Sequence, residues 1–138
     1  MKRFKDIYYY IFYQYYLFCD TPPFKGDSEW KATSLLSVVE MLVFFTLDFY
    51  YITFVNKNAE DYPIYIGTAV LVFGGNVLVF LVNNEWIDYY NKFVDWPAKK
   101  NAKLSKIVFI VSCLIVVNFA IALTLFYNIA WTPSKNIK

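Results

Sequence analysis

The sequence predicts an all-α membrane protein: an N-terminal amphipathic interfacial helix plus three transmembrane helices, the second extended into the cytoplasm. Three observations predict it. The 138-residue chain is 59% hydrophobic, its apolar residues are gathered into blocks at 32–55, 64–82 and 107–130, and its basic residues flank those blocks unevenly. About 20 apolar residues cross the roughly 30 Å hydrocarbon core, so each block has the length of a span. No stretch is left for a separate globular domain, and residues 1–138 read as a single membrane domain.

The basic residues set the expected topology. Lys2, Arg3, Lys5, Lys25 and Lys31 precede the first span, and Lys92, Lys99, Lys100, Lys103 and Lys106 lie between the second and third. Only Lys57 separates the first two spans, and only Lys135 and Lys138 follow the third. Basic residues near span ends stay in the cytoplasm. The expectation is a multi-pass membrane protein with a cytoplasmic N-terminus and an extracytoplasmic C-terminus. The same clusters sit where topology requires them, so no nucleic-acid partner is expected.

Residues 1–19 carry Phe4, Ile7, Ile11, Tyr15 and Phe18 at steps of three and four, an apolar stripe for lipid. Lys2, Arg3, Asp6, Tyr9, Tyr13 and Gln14 fall on the other side. Basic residues with aromatic anchors suit a helix lying in the membrane plane; packing of this helix on the protein itself is the alternative. The segment superficially resembles a signal peptide, but six tyrosines and Gln14 interrupt it, and Leu17 and Phe18 stand where a cleavage site needs small residues. It is expected to be retained.

Pro22-Pro23 and Gly26 end the first helix, and Asp27 or Ser28 offers a cap for the next. Asp61 is placed to cap the second span, with Pro63 in its first turn. Beyond residue 82, Trp86, Tyr89, Tyr90 and Phe93 keep helical spacing as far as about residue 95, and Pro97 stops the run. Residues 98–106 read as a basic linker or as the first turns of the third helix, which Thr132-Pro133 closes. Tyr8, Tyr15, Trp30, Trp86, Trp96 and Trp131 are the expected interfacial anchors. Tyr8, Phe12, Trp86, Tyr90, Phe93 and Trp96 are expected to pack together or on headgroups.

Glu40 and Asp48 stand inside the first span, where an ionisable group costs roughly 2.5–3.5 kcal/mol on insertion scales. At about 100° per residue, Thr33, Ser37, Glu40, Asp48 and Tyr51 share one polar stripe that must face protein or water. Leu35, Leu42 and Phe49 lie opposite, fit for lipid. Thr46 and Thr53 share that side and are expected to bond to their own helix backbone. In the second span Gly67, Leu71, Gly74 and Leu78 form a ridge, with Gly75 beside it, that allows close helix approach. Asn76 lies on the opposite face at nearly the depth of Glu40, and a Glu40–Asn76 hydrogen bond is the preferred pairing. In the third span Cys113, Val116, Ala120, Thr124 and Tyr127 make a small-residue face. Asn118 points the other way, either into the three-helix core or toward a partner.

The chain has two cysteines, at different depths, and no histidine. Neither a disulfide, a metal site nor a cofactor is expected, and no nucleophile–base pair suggests an enzyme. Trp30-Lys31-Ala32 leading into Leu35-Leu36-Ser37-Val38-Val39-Glu40, the aromatic N-terminal helix, and Asp95-Trp96-Pro97-Ala98-Lys99-Lys100-Asn101 together resemble an uncharacterised group of short bacterial three-span integral membrane proteins with no established activity. The resemblance implies a bacterial inner-membrane setting and a small accessory role. It carries over no functional residue.

Three readings follow. The first is a non-enzymatic accessory or interaction protein, of immunity type or a complex subunit, bound to a membrane-protein partner or to itself in the lipid bilayer. The second is a homo-oligomeric channel or proton pathway lined by Glu40, Asp48 and Tyr51. The third is a purely structural protein of the lipid interface.

Overall fold

The computed structural model describes residues 2–23, 25–56 and 62–130, and these form five helices with no strand among them. They are α1 (Lys2–Cys19), α2 (Ser28–Phe54), α3 (Tyr62–Asn76), α4 (Trp86–Val94) and α5 (Ala98–Leu125). α3 continues as π-helical turns through Val77–Val82, and α5 likewise through Phe126–Ala130. Three of these helical runs are long and apolar enough to cross a membrane: Ser28–Phe54, Tyr65–Val82 and Ala98–Ile129. The chain is thus built as a multi-pass membrane protein. Asp61, Trp131, Thr132 and Pro133, given a cap, an anchor and a stop from sequence, lie outside the described residues.

α2 is the central helix, packing on α1, α3 and α5. α3 docks on one part of α2 and α5 on another. Phe45 meets Tyr65 of α3 with ring centroids 5.7 Å apart, while Phe49 stacks on Phe126 of the α5 continuation at 5.0 Å. The Leu35–Leu42–Phe49 side is therefore half-buried against α5 rather than turned to lipid. A helix that is apolar nearly all round can place either side inward. The uncovered part of α2 is its far half, where Phe44, Leu47, Tyr51 and Phe54 stand exposed.

α1 buries the side expected to be polar. Tyr9, Tyr10, Phe12 and Tyr13 are in the core, whereas Phe4, Ile7 and Phe18 are 82%, 60% and 57% exposed. A tyrosine ring is apolar enough to bury once its hydroxyl finds a partner, and here the rings find one another. Phe12 stacks on Phe80 at 4.0 Å, Tyr9 on Tyr89 at 4.1 Å, and Tyr10 packs edge-on to Phe93 at 5.1 Å. Trp86, Tyr90 and Trp96 complete the cluster. The aromatic residues expected to pack together do so, with α1 and α4 clasped at one end of the bundle.

The extension beyond Val82 is helical, but it is a separate helix. Asn84 has φ 51, a left-handed conformation that asparagine tolerates and a continuous α-helix does not. The turn at residues 83–85 lets α4 fold back onto α1. α5 starts directly after Pro97, so residues 98–106 are its first turns, with Lys100 and Asn101 N–H groups donating to the Pro97 carbonyl at 2.8 and 3.1 Å.

At the start of α2, Asp27 occupies the cap position with φ 53 and makes no side-chain cap bond. Capping by a side chain needs an extended backbone there. Ser28 turns back instead, its hydroxyl donating to Asp20 Oδ1 at 3.1 Å, which ties α2 to the end of α1.

Candidate functional site

Asn76 is the last residue of α3 before its helix widens into π-helical turns, and it is 2% exposed. Its Nδ2 donates to Glu40 Oε2 at 2.7 Å and to Ser37 Oγ at 3.0 Å. The Ser37 hydroxyl proton goes to the Thr33 carbonyl at 2.8 Å, so Ser37 Oγ is free to accept from Asn76. Thr33 in turn donates to the Glu29 carbonyl at 2.8 Å. From the α1 side Tyr8 Oη donates to Asn76 Oδ1. The amide is thus held from three directions, and the Asn76–Glu40 pair expected from depth is made.

Burial pushes the Tyr8 hydroxyl well above its ordinary range, and the nearby Glu40 carboxylate adds to this. Tyr8 is therefore a neutral donor, chemically suited to the Asn76 carbonyl oxygen. Sequence reading placed Tyr8 among the interfacial anchors and missed this role. So too with Tyr15 and Trp86, which are buried inside the protein, whereas Trp30 stands 53% exposed at the α2 start. Tyr15 Oη meets Ser112 Oγ at 2.6 Å, and because Ser112 gives its proton to the Val108 carbonyl at 2.9 Å, Tyr15 is the donor. Ser112, a hydroxyl within an otherwise apolar stretch of α5, was the available signal.

Asp48 does not join Glu40. Eight residues separate them, about 12 Å along a helix. Asp48 instead borders a hollow of about 310 Å³ with Tyr51, Tyr65 and Thr68. The polar stripe is thus divided: Thr33 and Ser37 are fully buried, Glu40 and Asp48 are partly buried in different surroundings, and Tyr51 is half exposed. Thr46 bonds to its own backbone as expected, donating to the Leu42 carbonyl at 2.6 Å. The Thr53 hydroxyl does not, and is buried with no partner among the described residues.

The glycine ridge finds no neighbour among the described residues. A Cβ added at Gly67, Gly74 or Gly75 meets nothing within 4 Å, and Leu71 and Leu78 beside them are exposed. The close approach expected from the spacing is not made among the described residues. In α5, Cys113, Val116, Ala120, Thr124 and Tyr127 are likewise exposed. Asn118 is engaged within the protomer: Tyr50 Oη donates to its Oδ1 at 2.9 Å.

At the α1 end, Lys5 Nζ donates to Glu85 Oε2 at 2.9 Å and Tyr9 Oη donates to the same oxygen at 3.1 Å. The Lys5 and Tyr9 hydrogen bonds hold the Glu85 carboxyl below its ordinary value, and Glu85 holds the Lys5 ammonium above its own. Lys92 pairs with Asp6 at 2.8 Å.

Taken together, these features define a class: an all-α membrane protein with three potential spans, whose intramembrane acid at Glu40 is absorbed into an interhelical hydrogen-bond set. Comparison with protein-family models, with curated proteins and with solved structures finds no match for this chain.

Proposed function

We propose that this chain is a small, non-enzymatic accessory subunit of the membrane that binds another membrane protein's helix through the outer face of α3. One observation carries the reading: Gly67, Gly74 and Gly75 face outward with open space around each. Membrane helices associate where small residues let backbones approach, and lipid tails gain nothing from such a groove. Glu40, engaged by Asn76, acts here as interhelical glue. The basic clusters favour an orientation with α1 and α4 in the cytoplasm, and the resemblance to small bacterial three-span proteins favours a bacterial inner-membrane setting. A homo-oligomeric proton pathway is the alternative; it would require Glu40 to leave Asn76 and join Asp48, about 12 Å along α2.

The glycines also supply a clean test. Gly67→Leu and Gly75→Leu place side chains into empty space, so the isolated chain folds as before. The full chain, purified in mild detergent from its native membrane, is expected to run as a defined complex by native mass spectrometry. Both variants are expected to run as the lone chain. A complex unaffected by both substitutions, or Glu40-dependent conductance from the chain alone in liposomes, overturns the proposal.

A further inference from the structure

Between α1, α2 and α5 lies an elongated hollow of about 480 Å³, walled by Ile11, Leu36, Val39, Leu104, Val108 and Val111. Its lining runs along α5 from Leu104 to Ile115, about 16 Å at ~1.5 Å per residue. A hollow of that length and volume has room for a hydrocarbon chain. Glu40 and Ser112 reach the wall, where Glu40 Oε2 accepts from Asn76 and Ser112 Oγ accepts from Tyr15. Ile107 and Val111, 46% and 48% exposed, leave the hollow open sideways.

One end of the hollow is cationic. Trp96 borders it beside Leu104, and Lys100 Nζ stands 3.2 Å from the Trp96 ring centroid. Lys100 lies one turn before Leu104 on the same side of α5, and Lys103 lies one turn before Ile107. Asp6, the carboxylate at this end, is already paired with Lys92. Neither Lys100 nor Lys103 has a carboxylate partner among the described residues, whose ion pairs are Lys5–Glu85 and Lys92–Asp6. An apolar hollow whose rim carries ammonium groups without a carboxylate partner is complementary to one kind of molecule present in a bilayer.

We propose that the hollow seats one acyl chain of an anionic phospholipid, whose phosphate is held by Lys100 with Lys103 beside it. A zwitterionic lipid brings its own cation to the same rim and is held less well. This inference is independent of the partner face on α3, which lies on another helix.

The test uses the full chain, reconstituted in bilayers of equal phosphatidylglycerol and phosphatidylcholine, released in mild detergent and weighed by native mass spectrometry. One phosphatidylglycerol per chain is expected, preferred over phosphatidylcholine on the order of thirtyfold, as two lysines near a membrane surface supply. Lys100→Gln with Lys103→Gln is expected to bring that preference near parity. Val111→Trp and Ile107→Trp, both at half-exposed wall positions, are expected to expel the lipid. Val117→Trp, in the separate hollow across Tyr15, is expected to leave it bound. Equal retention of the two lipids by the native chain, undiminished retention in both wall variants, equal loss in Val117→Trp, or an adduct with the mass of a free fatty acid overturns the proposal.

Discussion

Asn76 of the second span donates a 2.7 Å hydrogen bond to Glu40 of the first, and the same amide receives a hydrogen bond from Tyr8 of the N-terminal helix. One side chain thereby ties together α1, α2 and α3 through residues 68 and 36 positions from it in sequence. Because the amide is engaged from both sides, with Tyr8 on its oxygen and Glu40 and Ser37 on its nitrogen, the set is a register device: it fixes how far α3 slides along α2 before the π-helical turns begin. Its removal is expected to cost more than a single interhelical bond.

Asn76→Leu strands the Tyr8 hydroxyl and removes the donor to Glu40 and Ser37. An unmade buried hydrogen bond costs about 1–3 kcal/mol in soluble proteins, while interhelical bonds in membranes average nearer ~0.6 kcal/mol. With three partners affected, a loss of about 2 kcal/mol is expected in reversible unfolding from mixed micelles. The double variant with Glu40→Leu is expected to lose less than the sum of the singles, by about 0.5–1 kcal/mol. Strict additivity would show that the pair is not coupled.

Tyr8→Phe isolates the hydroxyl from the ring. The ring sits 5.4 Å from Phe80 and stays in place, so only the bond to Asn76 is lost, at about 1 kcal/mol. Tyr8→Ala additionally opens space against Phe80 and is expected to cost at least twice as much in the same assay. Equal effects of the two substitutions would assign the stabilisation to the ring alone.

The positions of the spans were legible because hydrophobic blocks of bilayer length leave few alternatives, and the Asn76–Glu40 pairing was legible because antiparallel spans place the two residues at one level. Which side of α1 turns inward was not. Tyrosine is amphipathic, and Tyr9 and Tyr13 score as polar in a pattern although their rings bury as readily as phenylalanine. The break at Asn84 was hidden because the apolar spacing of Trp86, Tyr89, Tyr90 and Phe93 is the same whether the helix continues or folds back. The glycine ridge was visible, but spacing only says that a backbone is permitted to come close, not that one from this chain does.

The exposed pair at the α1–α4 junction gives a pH dependence of known sign. Glu85 titrates below its ordinary 4.5 when folded, so its contribution is present above that value and is lost as pH falls through the folded one. Lys5 titrates above its ordinary 10.5, so its contribution is present below that value and is lost as pH rises through the higher folded one. Docking of α4 on α1, followed by the emission of the buried Trp86, is expected to be flat between these limits and to weaken below the acid one. In Glu85→Gln the acid-side change attributable to this pair is expected to vanish. An unchanged acid limb would place the titrating group elsewhere.

The glycines separate backbone conformation from packing. Gly75 has a helical backbone, and an added methyl meets open space, so Gly75→Ala removes unfolded-state entropy and is expected to stabilise the chain by about 0.5–1 kcal/mol. Gly26 also has nothing within 4 Å, yet its φ of +110 is one that L side chains rarely adopt. Gly26→Ala is expected to destabilise by about 1 kcal/mol or more, since the strain falls on the turn that sets α2 against α1. Opposite signs from two equally uncrowded glycines, measured by the same reversible unfolding, are the expected result. A destabilising Gly75→Ala in the isolated chain would mean that the outer face of α3 is already closed against another backbone.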